Sequence, residues 1–114
     1  MPKVKRGEIY MVSFDPSRGS EQSGTRPAII IQNNIGNLYA NTTIIAALST
    51  RISDYPQNVI IEPSKENGLP KKSCAKLDQI LTISQQRLSK KLGQLTSEEM
   101  LKVNTALKLS LELN

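Results

Sequence analysis

Residues 15–31 read Asp-Pro-Ser-Arg-Gly-Ser-Glu-Gln-Ser-Gly-Thr-Arg-Pro-Ala-Ile-Ile-Ile, and the rest of the chain is organised around them. The stretch opens as a polar, Gly-punctuated connection, residues 15–25, between two apolar runs, Ile9 to Phe14 and Ala28 to Ile31. Hairpin loops usually spend about two to five residues, and longer ordered loops in small domains tend to carry function. Pro16, Gly19 and Gly24 let the backbone take turns closed to ordinary residues. Arg26 comes next, immediately before Pro27. A residue preceding proline is pushed to extended geometry, and Pro27, with no N–H to donate, suits the first position of a strand. Arg26 is thus rooted in a stiff Ile-rich strand, and a planar cation with several fixed donors suits phosphate. The same residues also admit a plainer arrangement, a surface Arg paired with Glu21 across its own loop.

Gly19-Ser20-Glu21-Gln22-Ser23-Gly24-Thr25-Arg26-Pro27-Ala28 resembles the Gly-Ser-Glu-Gln-x-Gly-x-Arg-Pro signature of the MazF/PemK toxins. Members of that family are bacterial sequence-specific endoribonucleases of type II toxin–antitoxin modules. The resemblance continues through Gln32 to Asn37, Thr42 to Thr50, Asp78-Gln79-Ile80 and Gln86-Arg87-Leu88, so it covers nearly the whole chain in order. It is closest to the Gram-positive branch.

The totals narrow the chemistry. A chain of 114 residues suits one domain, 1–114, and buries roughly two-thirds of its unfolded surface. No signal peptide and no apolar run of about 18 residues is present, which predicts a soluble, cytoplasmic protein with no membrane span. Cys74 is alone and reads as core packing. With no His and one Cys, the usual zinc sites cannot be built, and the ten acidic residues show no two-metal pattern. The expectation is therefore no metal and no cofactor. Aromatic residues make up only 4%, so a nucleic-acid strand is not held mainly on stacking platforms. The net charge is +5. It concentrates between residues 71 and 91, where Lys71, Lys72, Lys76, Arg87, Lys90 and Lys91 face Asp78 alone. Such an excess suggests a face offered to a polyanion, with Arg87 a candidate RNA contact.

Taken in order, the pattern predicts strands over 8–14, 27–32, 42–50 and 57–62. Phe14 closes the first as a core residue or a base-stacking platform. Asn33 to Asn37 reads as a turn, and Asn67-Gly68 as a hairpin pair. Two short strands follow at 73–77 and 80–83, then a helical turn over 84–88 and a strand over 91–95. Thr96-Ser97-Glu98-Glu99 is a capping box. It opens a helix with Met100, Val103, Leu107 and Leu111 on one stripe and Leu109 and Leu113 near the opposite side. Apolar residues on more than one face imply a second surface, most simply a homodimer.

This order reads as mainly β with α, a small, strongly bent SH3-like barrel with short outer helices and a C-terminal helix. The resemblance implies the MazF/CcdB-type barrel. It further implies a hydroxyl at the end of the third strand that joins Arg26 in catalysis. Register assigns that place to Ser49, with Thr50 beside it, and alternation along a strand lets only one of the two meet Arg26. The resemblance also gives Gln79 a part in RNA recognition. Leu81 stands where close relatives carry Arg, and Asp78 where they carry Glu.

RNA needs neither metal nor His for cleavage, because its 2′-hydroxyl is a nucleophile adjacent to the phosphorus. Holding it in line is worth several kcal/mol, about 7 to 11 at best, and each well-aimed donor supplies about 3 to 4 more. A guanidinium keeps its proton at ordinary pH and is a poor base, which leaves Arg26 as charge stabiliser and candidate proton donor. Ser49 orients the phosphate, and Glu21 is a candidate base. Gly19, Ser20, Glu21, Gln22 and Gln79 present the polar edges for reading unpaired bases of single-stranded RNA. The implied partners are an acidic, MazE-like antitoxin and a second copy of the chain, with RNA grooves near the subunit boundary. The competing class is a non-catalytic barrel of the gyrase-poison type or another binding module.

Overall fold

The computed structural model describes residues 4–14 and 24–114. Six strands, β1 Glu8–Phe14, β2 Gly24–Ile30, β3 Thr42–Ser49, β4 Asn58–Ile61, β5 Ser73–Ser84 and β6 Leu88–Gln94, form one sheet in the order β4-β5-β3-β2-β1-β6. Every neighbouring pair is antiparallel. Two α-helices complete the fold, α1 Asn34–Tyr39 and α2 Ser97–Leu111, with a 3₁₀ turn at Gln85–Arg87.

The Ile run of β2 is buried on both faces, as an apolar strand without alternation predicts. Ile29 joins a core under α2 with Ile9, Ala46, Leu48, Leu77, Val103 and Ala106. Ile30, one residue on, points into a second core with Val12, Phe14, Ala28, Ile45 and Ile83. Successive strand residues face opposite ways, so β2 is the wall between the two cores. Anything rooted in β2 inherits that rigidity.

The two ends of the strand order are joined by backbone rather than by strand pairing. Gln94 donates its backbone N–H to the Glu66 carbonyl at 2.9 Å. Gly68, at φ +67°, lies so close to the Leu92 carbonyl that a Cβ would collide with it, and Gly93 stands in the same relation to the Glu66 carbonyl. Buried Asn67 holds the connection's shape. Its amide oxygen accepts from the Ser64 and Leu69 N–H groups at 3.0 and 2.9 Å, and its amide nitrogen donates to the Glu62 carbonyl at 2.9 Å. The hairpin expected at Asn67-Gly68 is therefore a longer connection, spanning 62–72, that clasps β6.

Other boundaries moved for local reasons. The turn expected at 33–37 is α1, whose N-cap Asn33 accepts from the Gly36 N–H at 2.7 Å. The two strands expected at 73–77 and 80–83 are one, β5. The capping box of α2 has both halves: Glu99 N–H donates to Thr96 Oγ1 at 3.1 Å, and Thr96 N–H donates to Glu99 Oε1 at 2.8 Å. Such a cap is worth about 1 kcal/mol. Val103 and Ala106 make its buried face, with Met100 and Leu107 packed at the margin. Leu111, expected on that stripe, is exposed with Leu101, Leu109 and Leu113.

Candidate functional site

Arg26 is held on β2 between two ladders. On one side it pairs with Val12 of β1. On the other, the β2–β3 register runs Ile30↔Ile45, Ile29↔Ala46, Ala28↔Ala47, and Arg26 and Ser49 each lie two residues beyond that last pair on their strands. Both side chains line a cleft of ≈ 440 Å³ that Ala47 also lines.

The far wall comes from β5 and owes its shape to a fault in the ladder. β3 and β5 pair in register from Thr42↔Ser84 to Ala46↔Ile80, then resume at Leu48↔Ala75. Four residues, Lys76 to Gln79, thus oppose the single residue Ala47. Bulges bend a strand and re-aim its side chains, often beside active sites. Here the bulge brings Lys76 and Gln79 to the same cleft, joined by Leu81, two residues beyond Gln79 on the same face.

The near rim is the end of β3. Ser49 is its last residue, so strand alternation stops there, and Thr50 and Arg51 both line the cleft with it. Alternation was expected to separate Ser49 from Thr50. The strand end brings both to the rim. Ser49 Oγ accepts the Arg51 backbone N–H at 3.1 Å. A hydroxyl accepts and donates independently, so the Ser49 proton stays available to a phosphate oxygen.

The charged side chains in the described lining are Arg26, Arg51 and Lys76, all cations. None of the three has an ion-pair partner among the described residues. Asp78, inside the bulge, accepts instead from Gln57 Nε2 at 3.4 Å and is not part of the lining. The cleft thus concentrates positive potential around one hydroxyl pair, the arrangement that draws and grips a polyanion. Another cavity, ≈ 490 Å³, lies between β4 and α2. It sets Asp54 beside Lys102 and holds none of the candidate residues, so the chemistry belongs to the cationic cleft.

The remaining candidates divide. Arg26, Ser49, Thr50 and Gln79 come together in the cleft. Phe14 does not: at 7% exposure it packs with Val4, Val12 and Ile30, so its stacking role gives way to the core role. Arg87 lies outside the cleft lining, and its guanidinium donates to the Ser13 carbonyl at 3.2 Å, tying the 3₁₀ turn to the end of β1. Gly19, Ser20, Glu21 and Gln22 lie outside the described residues. The basic stretch 71–91 is shared among several settings. Lys76 faces the cleft, Lys72 pairs with Glu62 at 3.6 Å, and Lys91 pairs with Glu8 at 2.8 Å on edge strand β6. The hydrogen bond it donates to Glu8 holds the Lys91 ammonium above its ordinary pKa. Burial, then the nearby Glu8 charge, raises the Tyr10 phenol.

Sequence reasoning missed Arg51 as a site residue and counted Lys76 only as bulk charge. For Arg51 the available signal was its spacing from Ser49. For Lys76 there was none short of the bulge.

Fold and site together define a small bent β barrel with a cationic, hydroxyl-bearing cleft. The family model described as PemK-like, MazF-like toxin of type II toxin-antitoxin system matches residues 5–111. The chain belongs to that family, as the signature around Arg26 implies. Among solved structures it is similar to an endoribonuclease in complex with its cognate antitoxin from Mycobacterial species. That likeness has a TM-score of 0.81 and 28% identity over 97% of each chain. An endoribonuclease from Mycobacterial species matches at TM-score 0.80 and 28% identity, covering 99% of this chain and 95% of that one. MazF from Deinococcus radiodurans matches at TM-score 0.80 over 99% and 100% of the two chains, and at 19% identity this is a likeness of fold. The expected barrel class is the observed one.

Proposed function

We propose that this chain is a toxin endoribonuclease that cuts single-stranded RNA by attack of a 2′-hydroxyl on the adjacent phosphorus. The observation that carries this reading is Arg26 and Ser49 lining one cleft whose described charged lining is entirely cationic. The 2′-oxygen forms a bond to phosphorus as the bond to the 5′-oxygen breaks. The products are a 2′,3′-cyclic phosphate and a 5′-hydroxyl. The 2′-proton leaves to a base, for which Glu21 is the candidate, and the 5′-oxygen gains a proton. Arg26 stabilises charge on the non-bridging oxygens, and the Ser49 hydroxyl donates to one of them. Gln79 reads a base edge from the far wall. A binding module of the gyrase-poison type accounts for the cations but gives the Arg26–hydroxyl pair no task.

The same reading includes one domain over 1–114, a cytoplasmic setting, a homodimer and neutralisation by an acidic MazE-like antitoxin. Exposed Leu101, Leu109, Leu111 and Leu113 on and beyond α2 support a second copy of the chain. The cationic cleft supports the acidic partner. Incubating purified protein with long single-stranded RNA in excess EDTA tests the chemistry. Cleavage with 5′-hydroxyl ends is expected, while 5′-phosphate ends or metal-dependent cutting would overturn it.

A further inference from the structure

The cleft holds more positive charge than one scissile phosphate needs. Arg26 of β2 and Ser49 of β3 line one cleft and suffice for that phosphate. Arg51 and Lys76 line the same cleft, one from the rim beyond β3 and one from the β5 bulge. Their placement is built rather than incidental. The Arg51 backbone is fixed to the Ser49 hydroxyl at 3.1 Å, so its root is set against the residue that meets the scissile phosphate. The root of Lys76 is fixed too, since its backbone pairs with Asn58 of β4. The one acidic residue of the bulge, Asp78, is engaged with Gln57 and leaves both cations unneutralised.

We propose that Arg51 and Lys76 are positioning residues that together grip a phosphate flanking the one cut, while Leu81 gives the adjoining base an apolar floor. The proposal rests on the ribonuclease reading above and extends it. Leu81 is 42% exposed within an otherwise polar wall, beside Gln79, and an apolar side chain there covers a base face without reading its edge. The pair acts on how the strand is held, and bond breaking stays with Arg26 and Ser49. Mutating it therefore weakens substrate affinity more than turnover.

The test compares wild type with R51Q, K76Q and the double variant, using R51K and K76R as charge-restoring controls. A hydrogen bond to a charged group is worth roughly tenfold in affinity. Each single variant is accordingly expected to raise KM about tenfold with kcat little changed, and the conservative controls to recover most of it. Because the pair shares one phosphate, the double variant should flatten the dependence of log(kcat/KM) on log salt by about 0.7. A neutral methylphosphonate at one position beside the cleaved linkage should impair wild type and add nothing to the double variant. Unchanged KM and salt slope would overturn the proposal, as would a fall in kcat alone or a neutral linkage that harms both proteins equally. Binding to a fully 2′-O-methyl RNA, which cannot be cut, separates this from failure of the ribonuclease reading. If wild type cuts no RNA yet the double variant binds this strand with the same weakened affinity and flatter slope, the phosphate pair stands without the chemistry. Equal binding by both proteins removes it.

Discussion

Arg26 of β2 and Ser49, the last residue of β3, line one cleft two positions beyond Ala28↔Ala47, the last closed pair of their ladder. Regular pairing carries the two side chains to the end of the ladder, and the cleft opens where that pairing stops. Pro27 contributes by having no N–H to give that ladder. The guanidinium and hydroxyl thus share one opening, and neither depends on a loop for its position.

Replacing Arg26 by Lys keeps the charge and removes the two-pronged donor. The expected result is a loss of at least about a hundredfold in kcat, the usual cost of one transition-state donor, with the thermal melt unchanged. Single-turnover cleavage of a mapped RNA site gives the rate. Near-normal cleavage by R26K would show that charge alone suffices at this position.

Ser49→Ala removes both the proposed donor to phosphate and the acceptor of the Arg51 N–H. It is expected to be severe, while Ser49→Thr, which keeps the hydroxyl, retains most activity. Thr50→Ala is expected to be mild, because Ser49 is the last residue of β3 and Thr50 sits one step beyond the strand. Rates for the three variants under one set of conditions decide this, and a worse Thr50 variant would reassign the hydroxyl.

Assembly is read from the leucines that α2 leaves uncovered. Sedimentation is expected to give a particle of twice the 12.6 kDa chain mass, and Leu109→Glu or Leu113→Glu to shift it toward monomer. An acidic antitoxin tail should compete with RNA and lose affinity as salt rises. Sedimentation as a monomer at micromolar concentration, or inhibition with RNA still bound, would contradict these expectations.

Stability above about pH 10 tests the edge-strand ion pair. Lys91 and Tyr10 both hold their protons more tightly in the folded protein, Lys91 through its Glu8 hydrogen bond and Tyr10 chiefly through burial. Their contribution is fully present below their unfolded pKa values and is lost as pH rises through the folded ones. Thermal melts should therefore fall in this range. Glu8→Gln, which keeps an oxygen for the Lys5 N–H, should flatten the fall, and parallel curves would dissociate it from this pair.

The legible parts of the fold were those in which neighbouring residues cooperate. The capping box at Thr96 and Glu99, the Ile run of β2 and the Arg26-Pro27 step each announce their geometry within a few positions. Asn33 was read with its neighbours as a turn, because Asn serves turns and N-caps alike and α1 is too short to show a period. Asn67-Gly68 carried the right backbone freedom for the wrong partner, since the β6 carbonyl that needs a bare Gly68 is distant in sequence. The β5 bulge contains Lys76, Leu77, Asp78 and Gln79, with neither Gly nor Pro to mark it. Its cause is tertiary: β4 pairs with Lys76 on one edge while β3 shortens its demand on the other. The cationic cleft was therefore half visible, with Arg26, Ser49 and Gln79 found and Arg51 and Lys76 left among the background charge.

The four-against-one stretch of β5 makes recognition a matter of counting. Lys76 and Gln79 reach one cleft because three chain steps separate them while β3 advances by a single residue. Exchanging Leu77 or Asp78 for another side chain leaves that interval as it is. Adding or removing one residue there would change which side chains the bulge offers to the cleft, while the ladders on either side keep their pairing. Preference for a different RNA sequence would then arise by a discrete jump in chain length, with Arg26 and Ser49 left where they are.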